Sequence, residues 1–397
     1  MIKTEVLIAG AGPVGAIGAV RLASMGIDVI CCEQTDSFAS DLRASTFHPV
    51  TVEMLDDVGV AQPLIEKGLK APVYQWRDRQ SGKHHCFDLG EIADVTRFPF
   101  RLQCPQHHMA EMLTDHLPTL SNAQMRFGTK LIGARENGEG IIATVEREGR
   151  LEELSAKFLI GADGSRSTVR SVMGVPFEGI TYEEKFVSIS TPYPIERILT
   201  DIDYVNYIAD PEEWLVLLRV PGLWRILVPA STNTDNEELL SDASVAAIFD
   251  RIVPGVAIET NFRKIYKVHQ RVAQTFHKGR MLLVGDAAHL NNPLGGFGMN
   301  SGIHDIWNLA DKLWSILRSD GDADQLALFD RQRRGITNAF IQAQSIQNKE
   351  FMEHAPGENH ASRMDRMAAI AADPSLRRDY LLRQSMIQSL TDAANIT

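Results

Sequence analysis

Cysteine is scarce in this sequence. Cys31, Cys32, Cys86 and Cys104 are the only four in 397 residues, and no two of them form a Cys-x-x-Cys pair or a zinc-ligand spacing. A disulfide framework and a structural zinc site are therefore excluded, and no metal is expected. Cys31 and Cys32 lie inside an apolar run and read as buried thiols of a reducing compartment. Positive charge is also short: 40 Lys and Arg stand against 51 Asp and Glu, a formal net charge of −11. With no basic excess, neither nucleic acid nor an anionic membrane surface is expected as a partner. Long apolar runs are missing too. The stretch from Val6 to Val20 is broken by Gly10, Gly12, Gly15, Gly18 and Pro13, and is too short to span a bilayer. The first residues lack a signal-peptide layout, so a cytoplasmic chain is expected. There is no internal repeat and no low-complexity segment.

What is present reads as α/β. The length exceeds one ordinary core and points to two domains. Glu5 to Ala9 is a short apolar run ending in glycines, which predicts a buried strand. Val14, Ile17, Leu22 and Met25 follow at helical spacing, with Gly26 placed to end the helix. Ile27 to Cys32 is a second apolar run closed by Glu33, completing a βαβ opening. Helices are predicted over His48 to Val58 and Gln106 to Leu117, and strands over Ile141 to Val145 and Phe158 to Ile160. Residues 70–105 are mixed and receive no elements. From Lys185 to Ala230 the pattern turns to strands, with a hairpin folded at Pro221-Gly222. Met281 to Val284 returns to the buried-strand pattern. Ile303, Ile306, Ala310, Leu313 and Leu317 then mark a long amphipathic helix. The tail from Asp330 to Thr397 is mostly helical in character, with breaks near Pro356-Gly357 and Pro374.

Gly10-Ala11-Gly12-Pro13-Val14-Gly15 sits between the first strand and helix. Gly10 permits the tight turn, Gly12 lets backbone approach a pyrophosphate, and Gly15 lets helix and strand pack closely. The helix N-terminus then favours phosphate charge. Glu33 ends the next strand, where a carboxylate can hold ribose hydroxyls. This motif alone does not separate FAD from NAD. Two further segments narrow it: Gly161-Ala162-Asp163-Gly164-Ser165-Arg166-Ser167-Thr168-Val169-Arg170, and Gly285-Asp286-Ala287-Ala288-His289 followed by Pro293 and Gly295-Gly296-Phe297-Gly298-Met299-Asn300. An Asp-Gly dipeptide by itself marks no more than a turn.

The three segments in this order resemble the single-component flavoprotein aromatic hydroxylases of the para-hydroxybenzoate hydroxylase type. The resemblance runs from residue 1 to about 340. It implies a Rossmann-like FAD-binding domain, a second β-sheet domain for the substrate and a helical C-terminal tail. Expected boundaries are 1–70, 100–178 and 270–340 for a discontinuous FAD domain, 71–99 and 179–269 for the substrate sheet, and 341–397 for the tail. The resemblance assigns Asp163 to the FAD and nicotinamide path, and Asp286 to a ribityl hydroxyl. The loop holding Pro293, Gly296, Gly298, Met299 and Asn300 would pass the flavin ring. Arg43 matches an arginine against the FAD phosphates and ribityl chain. Gln106 matches a ribityl-contacting glutamine, with Gln103 as the alternative for that place.

The implied chemistry is a cycle in which NADH or NADPH reduces FAD, O2 adds to give a flavin C4a-hydroperoxide, and its distal oxygen passes to a small electron-rich ring, phenolic or of hydroxypyridine type. His48 is the first candidate for activating the substrate by taking its proton. The histidine could equally be a helix-start residue beside Pro49. Tyr204, Tyr207, Trp214, Trp224 and Arg225 lie on the strands expected to roof the flavin. With Pro293, four of them (Tyr204, Trp214, Trp224 and Arg225) are the expected substrate contacts, since alternate strand positions face one side. His289 reads as structural. Competing readings are a halogenase or isoprenoid-type reductase of the same fold, an FAD-binding protein without catalysis, and an NAD-dependent dehydrogenase. Trp214 and Trp224 do not form the halogenase Trp-x-Trp-x-Ile signature, and the dehydrogenase reading leaves Asp286 unexplained. The tail after residue 340 leaves a homodimer contact open.

Overall fold

The computed structural model describes residues 2–37, 44–319, 321–353 and 359–397. Five parallel strands form the body of its eight-stranded first sheet, in the order Met281–Leu283, Arg150–Gly161, Ile2–Ala9, Val29–Cys32 and Ala123–Arg126, with His277–Lys278 antiparallel at the Met281–Leu283 edge. Val6 to Ala9 and Val29 to Cys32 are buried throughout. That explains why they read as continuous apolar runs rather than alternating ones: a parallel strand is covered on both faces. Ile141–Arg147 and Thr129–Glu136 add an antiparallel flap to the first half of the Arg150–Gly161 strand.

The helix Pro13–Ser24 and the long helix Phe297–Arg318 cover this sheet. They cross closely because Gly18 has no side chain: a Cβ there would come within 2.5 Å of Ile306 Cγ1. The long helix starts at Phe297, six residues before Ile303, the first position of its expected apolar face.

The second large sheet has the order His289–Leu290, Phe262–Ala273, Phe177–Thr191, Leu223–Ala230, Leu215–Val220, Val205–Ala209, Val73–Asp78 and His84–Asp88. The expected hairpin is there, with Val220 opposite Leu223 and Gly222 at φ +75°. Two strands come from the stretch to which no element was assigned: Val73–Asp78 runs parallel to Val205–Ala209 and His84–Asp88 pairs beside it. Their sequence, with His84, His85 and Cys86, lacks the β-branched alternation that marks a strand, so tertiary pairing decides there. One face of this sheet carries Val187, Ile189, Leu217, Trp224, Ile226 and Val228 into a core with the helix Asp242–Ile252. The opposite face looks toward the first sheet. Helices Ala343–Met352, His360–Ala372 and Pro374–Gln384 close over its Val73–Asp78 end through Phe351, Met352, Met367 and Leu381. The Pro374 break is a helix start; Pro356-Gly357 lies outside the described residues. Among the described residues no helix is long and apolar enough to cross a membrane.

Candidate cofactor and substrate site

The three glycine-bearing segments leave the same edge of the first sheet. Ala9 pairs with Gly161 and Cys32, and Gly161 pairs with Leu283, so the loops that follow are neighbours. Ligands bind at this carboxyl edge in open α/β sheets. The segments are also interlocked. A Cβ on Gly10, which sits at φ +94°, would stand 2.5 Å from the Ala162 carbonyl oxygen, and one on Gly15 would stand 1.9 Å from that of Gly10. Val14 packs against Gly285 and Gly302, where a Cβ would come within 3.1 and 2.7 Å of its Cγ2. The Arg170 Nη1 donates to Ala287 O at 2.8 Å, tying the middle segment to the third.

Gly12 behaves differently from its neighbours. A Cβ on it would meet no atom within 4 Å, and its φ of −58° is ordinary. No side chain caps the helix that follows, and Pro13 is its first residue. Open space in front of an uncapped helix N-terminus is a place for phosphate oxygens. Glu33 stands beside it: Oε2 accepts from Ala11 N at 2.9 Å, and Oε1 accepts from the Thr35 amide and hydroxyl at 3.0 Å. These bonds fix the carboxylate and leave Oε2 a further lone pair for a ribose hydroxyl.

A cavity of about 740 Å³ continues from this edge to the inner face of the second sheet. Asp163, Asp286, Pro293, Gly296, Gly298 and Met299 lie on one side of it, and Phe186, Tyr207, Leu218, Arg225 and Tyr266 on the other. Asp286 is exposed on that wall. Asp163 has its carboxylate turned to the protein, accepting from Ser167 Oγ at 2.5 Å and from the amides of Thr168 and Val169 at 2.7 and 3.1 Å. It thereby holds the first two amides of the helix Thr168–Met173, whose N-cap is Ser167, and its segment also lines the cavity with Gly164, Ser165 and Arg166. Asn300 is fully buried and holds the loop from behind: Oδ1 accepts from His48 N at 3.0 Å, and Nδ2 donates to the carbonyls of Thr46 and Gly296.

His48 is not on the cavity wall. Its ring is fully buried, stacks on Phe297 at 5.6 Å, and bonds through Nε2 to Gly295 O at 2.8 Å. A carbonyl can only accept, so Nε2 carries the proton. Burial first, and then the charge of Arg101, hold this imidazole well below its ordinary pKa. The geometry thus makes His48 a neutral prop under the loop, the helix-start alternative weighed beside the proton-acceptor role. Gln106 begins the helix Gln106–His116 outside the cavity lining, and Gln103 is buried with Oε1 accepting from Thr46 Oγ1 at 3.0 Å. Arg43 lies outside the described residues.

Three of the expected substrate contacts are elsewhere. Trp224 is on the outer face, with Nε1 donating to Glu196 Oε2 at 2.5 Å. Its neighbour Arg225 takes the inward place and donates to Ser45 Oγ at 2.9 Å. Alternation held, but one position of phase decides which residue points in, and spacing does not supply the phase. Trp214 packs edge-on to Phe186 at 5.1 Å inside the core, and Tyr204, 43% exposed, lies at the rim of the sheet. Phe186, Leu218 and Tyr266 were missed. Phe186 and Leu218 follow from the parity of Arg225 once the strand pairing is known; Tyr266 sits on a strand that was not read at all.

Comparison with known proteins agrees with this geometry. The profile of a family described as FAD binding domain matches residues 3–344. The para-nitrophenol 4-monooxygenase of Pseudomonas sp. (strain WBC-3) is 28% identical over 387 residues, 95% of this chain and 94% of the relative. The 6-hydroxy-3-succinoylpyridine 3-monooxygenase of Pseudomonas putida (strain DSM 28022 / S16) is 26% identical over 96% of this chain and 97% of its own. The crystal structure of p-nitrophenol 4-monooxygenase from Pseudomonas putida DLL-E4 superposes with a TM-score of 0.91 at 27% identity, covering 98% of this chain and 99% of that one.

Proposed function

The chain belongs to the FAD-binding-domain family, and on that premise we propose that it hydroxylates a single-ring phenol or hydroxypyridine held between the Pro293–Met299 loop and the inner face of the second sheet. It is an FAD-dependent aromatic monooxygenase that uses NAD(P)H as electron donor and O2 as co-substrate. The observation that carries the substrate proposal is one continuous cavity, with the cofactor-facing edge of the first sheet on one side and an aromatic, apolar sheet face on the other. The relatives named above act on a nitrophenol and a hydroxypyridine, each a single ring.

The residues present fit FAD. Gly12 and the uncapped helix behind it suit the pyrophosphate, Glu33 a ribose, and exposed Asp286 a ribityl hydroxyl. The Gly295–Met299 backbone offers a side-chain-free edge to the flavin ring, and the N-terminus of the helix Phe297–Arg318 favours negative charge there. When bound, the flavin supplies hydride acceptance from NAD(P)H and transfer of one oxygen atom to the ring. The protein's part is to orient the substrate and exclude water. Phe186, Leu218 and Tyr266 close the ring in from the sheet side, and Pro293 from the loop side. Asn300 and His48 keep that loop at a fixed depth.

The test is NAD(P)H consumption by the FAD-loaded protein against a panel of nitrophenols, phenolic acids and hydroxypyridines, with hydroxylated product and hydrogen peroxide quantified. Coupled hydroxylation of a single-ring compound is expected. Coupling only with multi-ring substrates would overturn the proposal.

A further inference from the structure

A second, smaller cavity lies away from the cofactor edge. Its volume is about 220 Å³, and it sits where the helices Ala343–Met352, His360–Ala372 and Pro374–Gln384 close over the strand Val73–Asp78. Much of its wall is aromatic and apolar: Trp76, Phe351 and Tyr380, with Met367 and Ile370. The buried amides beside them are already satisfied. Asn348 Oδ1 accepts from Gln344 Nε2 at 3.2 Å and from Gln384 Nε2 at 3.0 Å, and its Nδ2 donates to Leu294 O at 3.3 Å. The interior therefore asks for an apolar ring rather than for a polar atom. Charge stands on the exposed side, where Arg366 and Arg383 face a single carboxylate, Asp379. Arg377 and Arg378 on the same helix as Arg383 are paired with Glu91 and Asp94. Arg383 has no ion pair among the described residues.

One layer of residues separates this hollow from the catalytic cavity. Trp76 lines the hollow and stacks at 4.7 Å on Tyr207, which lines the catalytic cavity. Asn348 lines the hollow and holds the carbonyl of Leu294, which also lines the catalytic cavity. A tryptophan and an asparagine thus support, from behind, the sheet wall and the loop wall of the catalytic cavity.

We propose that the hollow is a second ligand site, for a single-ring aromatic carboxylate, and that its occupation is felt in the catalytic cavity through Trp76 and Asn348. The volume is below the range of about 300–1,000 Å³ that takes drug-sized ligands, so it admits one ring. The ring packs among Trp76, Phe351 and Tyr380, and the carboxylate meets the Arg383 fork. A side chain that borders a hollow lacks packing partners on that side. A ligand there supplies them, fixes the backs of Tyr207 and Leu294, and lowers the ordering cost of substrate binding, so the two sites reinforce each other. The site itself does not depend on the phenol reading above; its readout in the catalytic cavity does.

Calorimetry on the FAD-loaded protein tests this without turnover. Benzoate, and uncharged benzamide as control, are titrated with and without saturating 4-nitrophenol. Benzoate is expected to bind while 4-nitrophenol is bound, and saturating benzoate to tighten 4-nitrophenol binding by about fivefold. Ile370→Trp, whose indole fills the hollow, should abolish both effects. Arg383→Gln changes an exposed side chain outside the catalytic cavity, so the fold is kept; it should weaken benzoate by about threefold and leave benzamide unchanged. If 4-nitrophenol displaces benzoate, or if Ile370→Trp and Arg383→Gln bind benzoate as the wild type does, the second site does not exist. Benzoate binding that answers to both substitutions but leaves 4-nitrophenol affinity unchanged would overturn the coupling. Failure of 4-nitrophenol to bind, with benzoate still sensitive to both substitutions, would count against the single-ring phenol reading and support the second site on its own.

Discussion

Single atoms decide the cofactor edge, and Gly10 and Gly12 show it in opposite ways. Both belong to one motif and look equivalent in sequence. Gly10 is held at φ +94° with a carbonyl oxygen 2.5 Å from where a Cβ would be, whereas Gly12 has ordinary backbone and nothing within 4 Å. Gly10 is thus needed by the fold, and Gly12 by whatever fills the space in front of it. Gly12→Ala should leave the apoprotein's stability within about 0.5 kcal/mol of wild type, yet weaken FAD binding by about tenfold or more because a methyl takes the place of a phosphate oxygen. Gly10→Ala should lower apoprotein stability by about 1–3 kcal/mol through strain and overlap together. Flavin titration and apoprotein melting of the two variants check this; equal behaviour of the pair would contradict it.

Among the elements, the long helix Phe297–Arg318 joins the flavin loop to a buried polar cluster. Its Asp305 accepts from Gly285 N at 3.1 Å and lies 2.8 Å from both His289 Nε2 and Arg333 Nε, so it holds the turn that presents Asp286. On the same helix His304 bonds Thr51 Oγ1 at 3.2 Å, and burial pushes its pKa down to about 3 from 6.5. The charges of His289 and Arg333 outweigh burial at Asp305 and hold it at about 2, below its ordinary 3.8. Both shifts act in one direction. In the unfolded chain His304 binds a proton as pH falls through 6.5, while the folded chain resists until about 3, so stability declines across that window. The Asp305 contribution is complete above 3.8 and lost as pH falls toward 2. The melting temperature should therefore drop steadily on acidification below about 6.5. His304→Gln should flatten that slope by up to ~1.4 kcal/mol per pH unit, one proton's worth. Parallel melting curves for variant and wild type would remove His304 from the account. Elements of this kind were legible wherever burial was one-sided or complete: the βαβ opening, the Leu215–Ala230 hairpin and this helix all carry their periodicity in sequence. Two things were not legible. Strand phase put Trp224 on the wrong face and Arg225 on the right one, and tertiary pairing made the strands Val73–Asp78, which adds to the edge of Val205–Ala209, and His84–Asp88, which adds to Val73–Asp78. The buried charge of Arg101 also left no sequence signal, since an isolated arginine reads as solvated.

For the whole molecule, the consequence is that a site is shared by segments far apart in the chain. The Gly10–Gly15 turn, the Asp163–Arg170 turn and the Gly285–Asn300 loop meet only through strand pairing and the contacts of Val14 and Arg170. An unfolded chain cannot assemble them, so FAD has no comparable affinity for it, and binding must stabilise the native state. At a hundredfold excess over the dissociation constant the gain is about 2.7 kcal/mol, which for a chain of this size raises the melting temperature by roughly 3 °C. Removing the flavin should reverse that shift, and it should do so cooperatively, because one ligand clamps parts of the chain that belong to both ends. Asp286 is the residue with which to separate ligand from fold: it is exposed on the cavity wall, where loss of a side chain changes apoprotein stability by no more than about 0.5 kcal/mol. Asp286→Ala is accordingly expected to melt with the wild-type apoprotein and to lose most of the FAD-induced rise. Melting curves of both proteins with and without added FAD decide the matter. An unchanged rise in the variant would mean that the ribityl chain is held by other residues.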